Sequence, residues 1–516
     1  MNNCPFDITP YAQSQNISKP NIFNLNYTNQ DFWSMKTRLV EYIRQKFPTE
    51  FNDFVESSVA IMLIENWAFL ADTLSFKMDQ IANEIFIDTV TEVENAFRLC
   101  KLIGFNPQPP ICSRSLWTAK INNVLNFDLN IPSPFDITTT SGDQLIRIEL
   151  FPADANNNPI FDQSIVVPAG GFVNASVVGL EGTTRLDTVD GTGSPNQTVS
   201  LVYPSVIYDS IRVYVDGVSW NKVDYFTDSQ PRREYRVEFD SNYSAFVIFG
   251  NNRAGLVPSG GSVIEVVYRT GGGTIGNIVA GSVETQTIIN PTGYELSVPV
   301  TFNNYTKGEY GYNGDTIEDI RRKLPQYLRT QNRAVTGTDY KTIAEQFASP
   351  YQGQIGKATA VLRNYGCSAN IVDLYILARQ DESNLELASD QLKSELRGHI
   401  DQIKMITDYV CVRDGTVLNA AVSIDIFMDR LYRKFEDEVR EKVNRRMNSF
   451  FLISNWDYGK ILRDIDIIKQ LSDIKDPSRY EVSFTTDDGN SSIITPKFNE
   501  IIRPESIQIN FTYENN

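Results

Sequence analysis

A run of large apolar residues between Leu63 and Ile85 sets the tightest limit on how this chain folds. Leu63, Trp67, Leu70, Leu74, Met78, Ile81 and Ile85 follow one another at steps of three or four. That spacing brings side chains onto one face of an α-helix, in a heptad-like stripe. A face this apolar does not stand in water along its whole length. Either the chain covers it, as in an ordinary helical hairpin, or another subunit does. Phe32, Leu39 and Ile43 mark a helix before the stripe. Thr91 and Glu94 offer a capping box for a helix after it, with Val93, Phe97 and Cys100 inward and Gly104 as its stop. The short run Val59–Ile64 is too brief on its own to cross a bilayer.

A second helical pair is spelled out between Gly308 and Phe347. Ile317, Ile320, Leu324 and Leu328 share a face, Thr316 and Asp319 can cap it, and Pro325 predicts a kink or restart. After a polar joint, Thr336 is the expected N-cap of the next helix, with Asp339 three residues on. Val335 and Tyr340 are spaced for a hydrophobic staple, and Tyr340, Ile343, Ala344 and Phe347 form the buried face. By residue chemistry alone Arg333 in this joint is an exposed loop arginine.

The 516 residues exceed what one core serves, so several domains are expected. The fold class read from the pattern is α+β and multidomain. Residues 1–30, rich in Asn, Pro and Ser, form an arm without its own core. A helical domain spans 31–112, and 113–306 is β-rich, a sandwich or small barrel. In it, short β-branched runs such as Gly171–Leu180, Arg233–Asp240 and Ser262–Arg269 alternate with Gly, Pro, Asn and Asp turns. The helical joint occupies 307–350, followed by small α+β units at 351–430 and 431–516.

Composition narrows the chemistry. A net charge of −17 argues against a chain that wraps nucleic acid or coats an anionic membrane. Five scattered cysteines without a CxxC pair predict neither a disulfide framework nor a zinc site, and a reducing cytoplasm suits them. His399 is the only histidine, so a Ser-His-Asp triad or a histidine metal pair has no second member to draw on. Gly271, Gly273 and Gly276 spell G-x-G-x-x-G, but the residues after them read as strand, where a dinucleotide site needs a helix. The carboxylate pairs Asp425 with Asp429 and Asp464 with Asp466 are ordinary in so acidic a chain. Arg321, Arg322, Arg329 and Arg333 form a basic patch that nearby Glu318 and Asp319 can neutralise. No catalytic residue, cofactor site or metal site is expected.

The stretch GDTIEDIRRKLPQYLRTQNRAVTGTDY resembles the central signature of the baseplate J-like family, wedge proteins of contractile phage tails such as those of T-even-like phages. The counterparts are Arg333, Ala334, Val335, Thr336, Asp339 and Tyr340. The helical stretch around Trp67, the β-rich run through Gly271 and the run WDYGKILRDIDIIKQLSDIKD resemble the same family. The resemblance implies that Arg333 holds the joint. It also implies a non-enzymatic wedge subunit of the virion tail baseplate, assembled in the host cytoplasm. Such a subunit dimerises, joins a ring round the hub with other wedge and hub proteins, and repacks on contraction, without nucleic acid or direct membrane insertion. The stripe Leu63 to Ile85 and the joint residues would be its interface and structural positions. Two rival readings are a receptor- or glycan-binding tail protein, which the β region would serve, and a tail-tip glycoside hydrolase with two facing carboxylates.

Overall fold

The computed structural model describes residues 31–51, 53–55, 58–141, 144–161, 163–226, 230–289, 298–331, 333–365, 369–380, 383–474, 477–486 and 489–514. The expected arm at 1–30 lies outside them. The fold is α+β and multidomain, as the sequence predicts, and the described chain divides into two compact units. One holds residues up to 107 together with 316–325; the other holds 108–315 and 326–516.

The first unit is helical. Helix α1 (Phe32–Lys46) opens on Asp31, whose carboxylate accepts from the Ser34 amide at 2.8 Å. Helix α2 (Val59–Asn83) carries the apolar stripe, and α3 (Val93–Ile103) ends at Gly104 in the left-handed conformation at φ 78°. Phe97 and Cys100 are buried in α3 as expected, whereas Val93 is exposed. The cap of α3 differs from the expected Thr91–Glu94 box. Glu84, at the end of α2, accepts from the amides of Thr91 at 2.9 Å and Glu92 at 3.3 Å and from Asn95 Nδ2 at 3.0 Å. A carboxylate reaching back along the chain satisfies the orphan amides that a local box would have taken. Burial works against the Glu84 charge, but these hydrogen bonds prevail and hold its carboxyl below the usual range. Helix α4 (Ile317–Thr330) continues through Pro325, so the expected restart does not occur; the proline has no amide to give to the helical ladder. The division between the two units falls at this proline.

The second unit begins with a six-stranded antiparallel sheet built on Arg114–Asn122, which pairs with Phe172–Glu181 on one side and Val298–Asn304 on the other. Trp117, Ile121, Phe135, Ile148 and Phe302 fill its core. Between Thr183 and Thr270 the chain leaves this sheet to build two four-stranded sheets around Trp220, Tyr235, Phe249 and Tyr268. The strands expected from alternation fall within a residue or two of those observed.

Beyond α4, helix α5 (Gly337–Gln346) and helix α6 (Asp390–Ile403) pack with the long hairpin Gly353–Tyr365 and Ala369–Arg379 around Tyr340, Leu374, Leu392 and Leu396. Leu385, expected on the α6 face, lies in a short strand before it. Asp408–Asp414 pairs with Ala369–Arg379, whereas Thr416–Asp429 joins Arg479–Thr486 and Glu500–Glu514 in a different sheet, so the chain changes unit at Gly415. A side chain there would collide with the Tyr458 ring. Helices α7 (Glu436–Phe450) and α8 (Asp464–Leu471) cover that last sheet through Val439, Val443, Met447, Ile467 and Leu471. Ile461 and Ile465 are exposed. Asp457 ties the two small units together, accepting from Lys357 at 2.8 Å and Lys341 at 3.1 Å. Cys100 and Cys112 are buried free thiols, but Cys411 is disulfide-bonded, so the chain is not free of disulfides. Pairing made by tertiary folding leaves no trace in cysteine spacing.

The glycine motif is a structural device. Gly271, Gly272 and Gly273 all hold φ values between 87° and 129°, a region that L side chains avoid. The Gly272 amide donates to a buried Glu181 oxygen at 2.6 Å, and a Cβ at Gly276 would strike Ser113 and Glu181. Strand Glu284–Ile289 follows, as expected for a turn. Burial pushes the Glu181 carboxyl up to about 7, against the Gly272 hydrogen bond and Arg269, which lower it. A carboxyl raised in the folded state binds protons that the unfolded chain has lost, so folding stability falls as pH rises from about 4.5 to about 7. The loss is expected to total up to ~3 kcal/mol. Glu181→Gln should flatten that slope in denaturant melts across this pH range.

Candidate assembly surface

Helix α2 presents two faces. Ile61, Ile64, Ala68 and Ser75 are buried, and α1 packs along this helix, with Lys36 Nζ 2.7 Å from the Glu65 carboxylate. The stripe points elsewhere: Leu63, Trp67, Leu70, Leu74, Met78, Ile81 and Ile85 are each between 47% and 65% exposed. Met62, Phe69 and Phe76 widen the apolar surface. Among the described residues, therefore, no internal hairpin covers the stripe. Leu63, Leu74 and Ile85 also stand eleven residues apart, as do Trp67 with Met78 and Leu70 with Ile81. An eleven-residue repeat keeps a seam on one face of a nearly straight or slightly right-handed bundle, rather than the left-handed supercoil of heptads.

Among the described residues α2 is also the one helix long and apolar enough to cross a membrane, which the short run Val59–Ile64 alone did not signal. Glu65 and Asp72 lie within it, and Lys77 and Asp79 near its end. Charges at such depth are costly in hydrocarbon.

The helical unit is locked by an arginine, and not by the expected one. Arg321 on α4 is 9% exposed. Its Nε donates to the Ile87 carbonyl at 3.3 Å, one Nη donates to the Val90 carbonyl, and the other lies 2.6 Å from Glu318. The segment joining α2 to α3 is thus tied to α4. Arg333, which the resemblance makes the holder of the joint, is exposed and donates to Gln331 at 3.3 Å. Arg322 pairs with Asp319 at 2.9 Å.

The joint itself is held by its cap. Asp339 accepts from the Thr336 amide at 2.8 Å and its own amide donates to Thr336 Oγ1 at 3.2 Å, the capping box expected from the sequence. Tyr340 is fully buried and donates to Asp408 at 2.7 Å, while Val335 stays 43% exposed, outside the cluster that Tyr340 enters. The anchor is therefore a buried tyrosine hydroxyl rather than a Val335 staple. Ile320 and Leu324 are buried on α4, but Leu328 is exposed.

His399 is exposed on α6, with its ring 5.4 Å from Phe347. Among the described residues no group of three His, Cys, Asp or Glu side chains could hold a metal ion.

Residues 31–102 match the family described as bacteriophage baseplate protein, N-terminal domain. That segment contains α1, α2 and nearly all of α3. No curated protein matches the sequence. Among solved structures, a chain of the cryo-EM structure of the anti-feeding prophage baseplate, 6-fold symmetrised, is similar at 10% identity and a TM-score of 0.36, over 90% of each chain. A chain of the type VI secretion system TssK-TssF-TssG baseplate subcomplex is similar at 9% identity and a TM-score of 0.27, over 68% of this chain and 96% of that one.

Arg321→Ala leaves the buried Val90 carbonyl and the half-buried Ile87 carbonyl without this donor and is expected to cost about 2–4 kcal/mol locally. Hydrogen exchange across 84–103 should accelerate accordingly, while Arg333→Ala leaves it unchanged; similar exchange in both variants would contradict the lock.

Proposed function

We propose that this chain is a structural, non-enzymatic wedge subunit of a contractile-tail baseplate, located in the virion and assembled in the host cytoplasm. The observation that carries the reading is that residues matching a baseplate N-terminal domain are the ones that leave the stripe of α2 uncovered. A second copy, joined by other wedge proteins, covers that stripe, and rings round the hub form only in the assembled baseplate. Two copies meet through their N-terminal helices or their C-terminal α+β units, and the packing of the subunit changes when the tail contracts. The capping box of Thr336 and Asp339 and the buried Tyr340 set the angle of the joint. Each large apolar side chain fully buried contributes about 1.5–3 kcal/mol, so several together offset an association cost of roughly 4–15 kcal/mol. Direct insertion of α2 into a membrane is the reading to be separated from this one, because its length and composition permit it.

Leu70→Glu with Leu74→Glu changes only exposed positions. The double variant is expected to melt with the parent, to lose self-association in light scattering and to fail to enter baseplates. A variant that keeps its oligomeric state and still assembles would sink the proposal. Flotation of the parent chain with neutral liposomes, lost in the variant, would favour the membrane instead.

A further inference from the structure

The turn Arg430–Phe435 at the end of the long strand Thr416–Asp429 has no counterpart in the proposed role. Its six residues, RLYRKF, are all exposed, and Leu431 reaches 80%. Three are cationic and three are large and apolar. The carboxylates around it are mostly engaged. Asp429 accepts from the Leu431 amide at 2.9 Å, Glu436 takes Arg440 at 3.1 Å and the Tyr513 hydroxyl, and Glu438 takes Lys442 at 2.7 Å. Among the described residues Arg430, Arg433 and Lys434 make no close salt bridge, although Arg433 lies near enough to Glu436 to help hold that carboxyl low. Arg433 lies 5.6 Å over the Tyr513 ring and Lys434 4.9 Å over Phe435, so both cations are held beside aromatic faces.

We infer that this tip docks an acidic segment of another polypeptide that carries an apolar or aromatic residue among its carboxylates. Charge decides the occupant. Cations without a close salt bridge on a chain of net charge −17 are matched by an acidic segment at short range. A second copy of the same tip would set cation against cation, since the neighbouring acids Glu436 and Glu438 are already paired. An anionic lipid surface or a nucleic acid presents an extended negative face, which meets the acids flanking the tip, Asp429, Glu436, Asp437 and Glu438, within a Debye length of about 8 Å, whereas a short acidic segment contacts the cations alone. Leu431, Tyr432 and Phe435 supply the apolar contact that raises such pairing above simple ion exchange.

The test is fluorescence anisotropy of the whole protein with a dye-labelled peptide of acidic residues around one phenylalanine. Controls are the same peptide with amides for its acids, the same peptide with glycine for phenylalanine, and phosphatidylserine-containing vesicles. The expected result is salt-sensitive binding of the first peptide alone, weakened roughly tenfold or more by R430E/R433E/K434E and also weakened by Leu431→Ser. The milder R433Q/K434Q keeps the test valid if the reversal disturbs folding. No binding of the first peptide, equal binding by the charge variants, equal binding of the glycine peptide, or binding to vesicles alone would each overturn the inference.

Discussion

The helical unit depends on one buried guanidinium. Arg321 bridges the carbonyls of Ile87 and Val90 to Glu318 on its own helix. A buried arginine is tolerated only where its donors are taken, and here they are taken by carbonyls that the α2–α3 connection would otherwise leave without partners. Glu84 completes the arrangement by capping α3 from the same connection. With its end fixed twice, α2 is held as a long rod whose outward face is free of internal duties.

That division of labour explains how one helix can be stable and yet largely apolar on the outside. The side toward α1 uses small and medium residues, Ile61, Ile64, Ala68 and Ser75, and takes up little of the helix surface. The large residues are kept on the other side, where they stand about half exposed among the described residues. Such a surface stores binding free energy for a partner.

Local chemistry was legible in the sequence. The capping box of Thr336 and Asp339, the glycine stop of α3 and the strands of the β-rich region all follow from contacts within a few residues. What was not legible came from distance. Arg321 and Arg333 look alike in sequence; one meets carbonyls more than 230 positions earlier and the other meets water. Val335 and Tyr340 have the right spacing for a staple, but the Asp408 carboxylate draws Tyr340 into the core while Val335 stays out. The switch of sheets at Gly415 follows from strand pairing across more than 50 residues, which no local pattern encodes. For the proposed surface, the stripe itself was legible, and its exposure was not, because periodicity marks a face without saying what covers it.

The central claim is that the outward face of α2 is covered only in the assembled particle. Hydroxyl-radical footprinting tests it directly, since Met62, Trp67 and Met78 are reactive side chains on that face and Trp117 is an internal buried reference. Strong labelling of these three residues in the dilute isolated chain and protection of them in purified baseplates, with Trp117 protected in both, is the expected result. Equal labelling of Trp67 and Met78 in the two states would contradict the account.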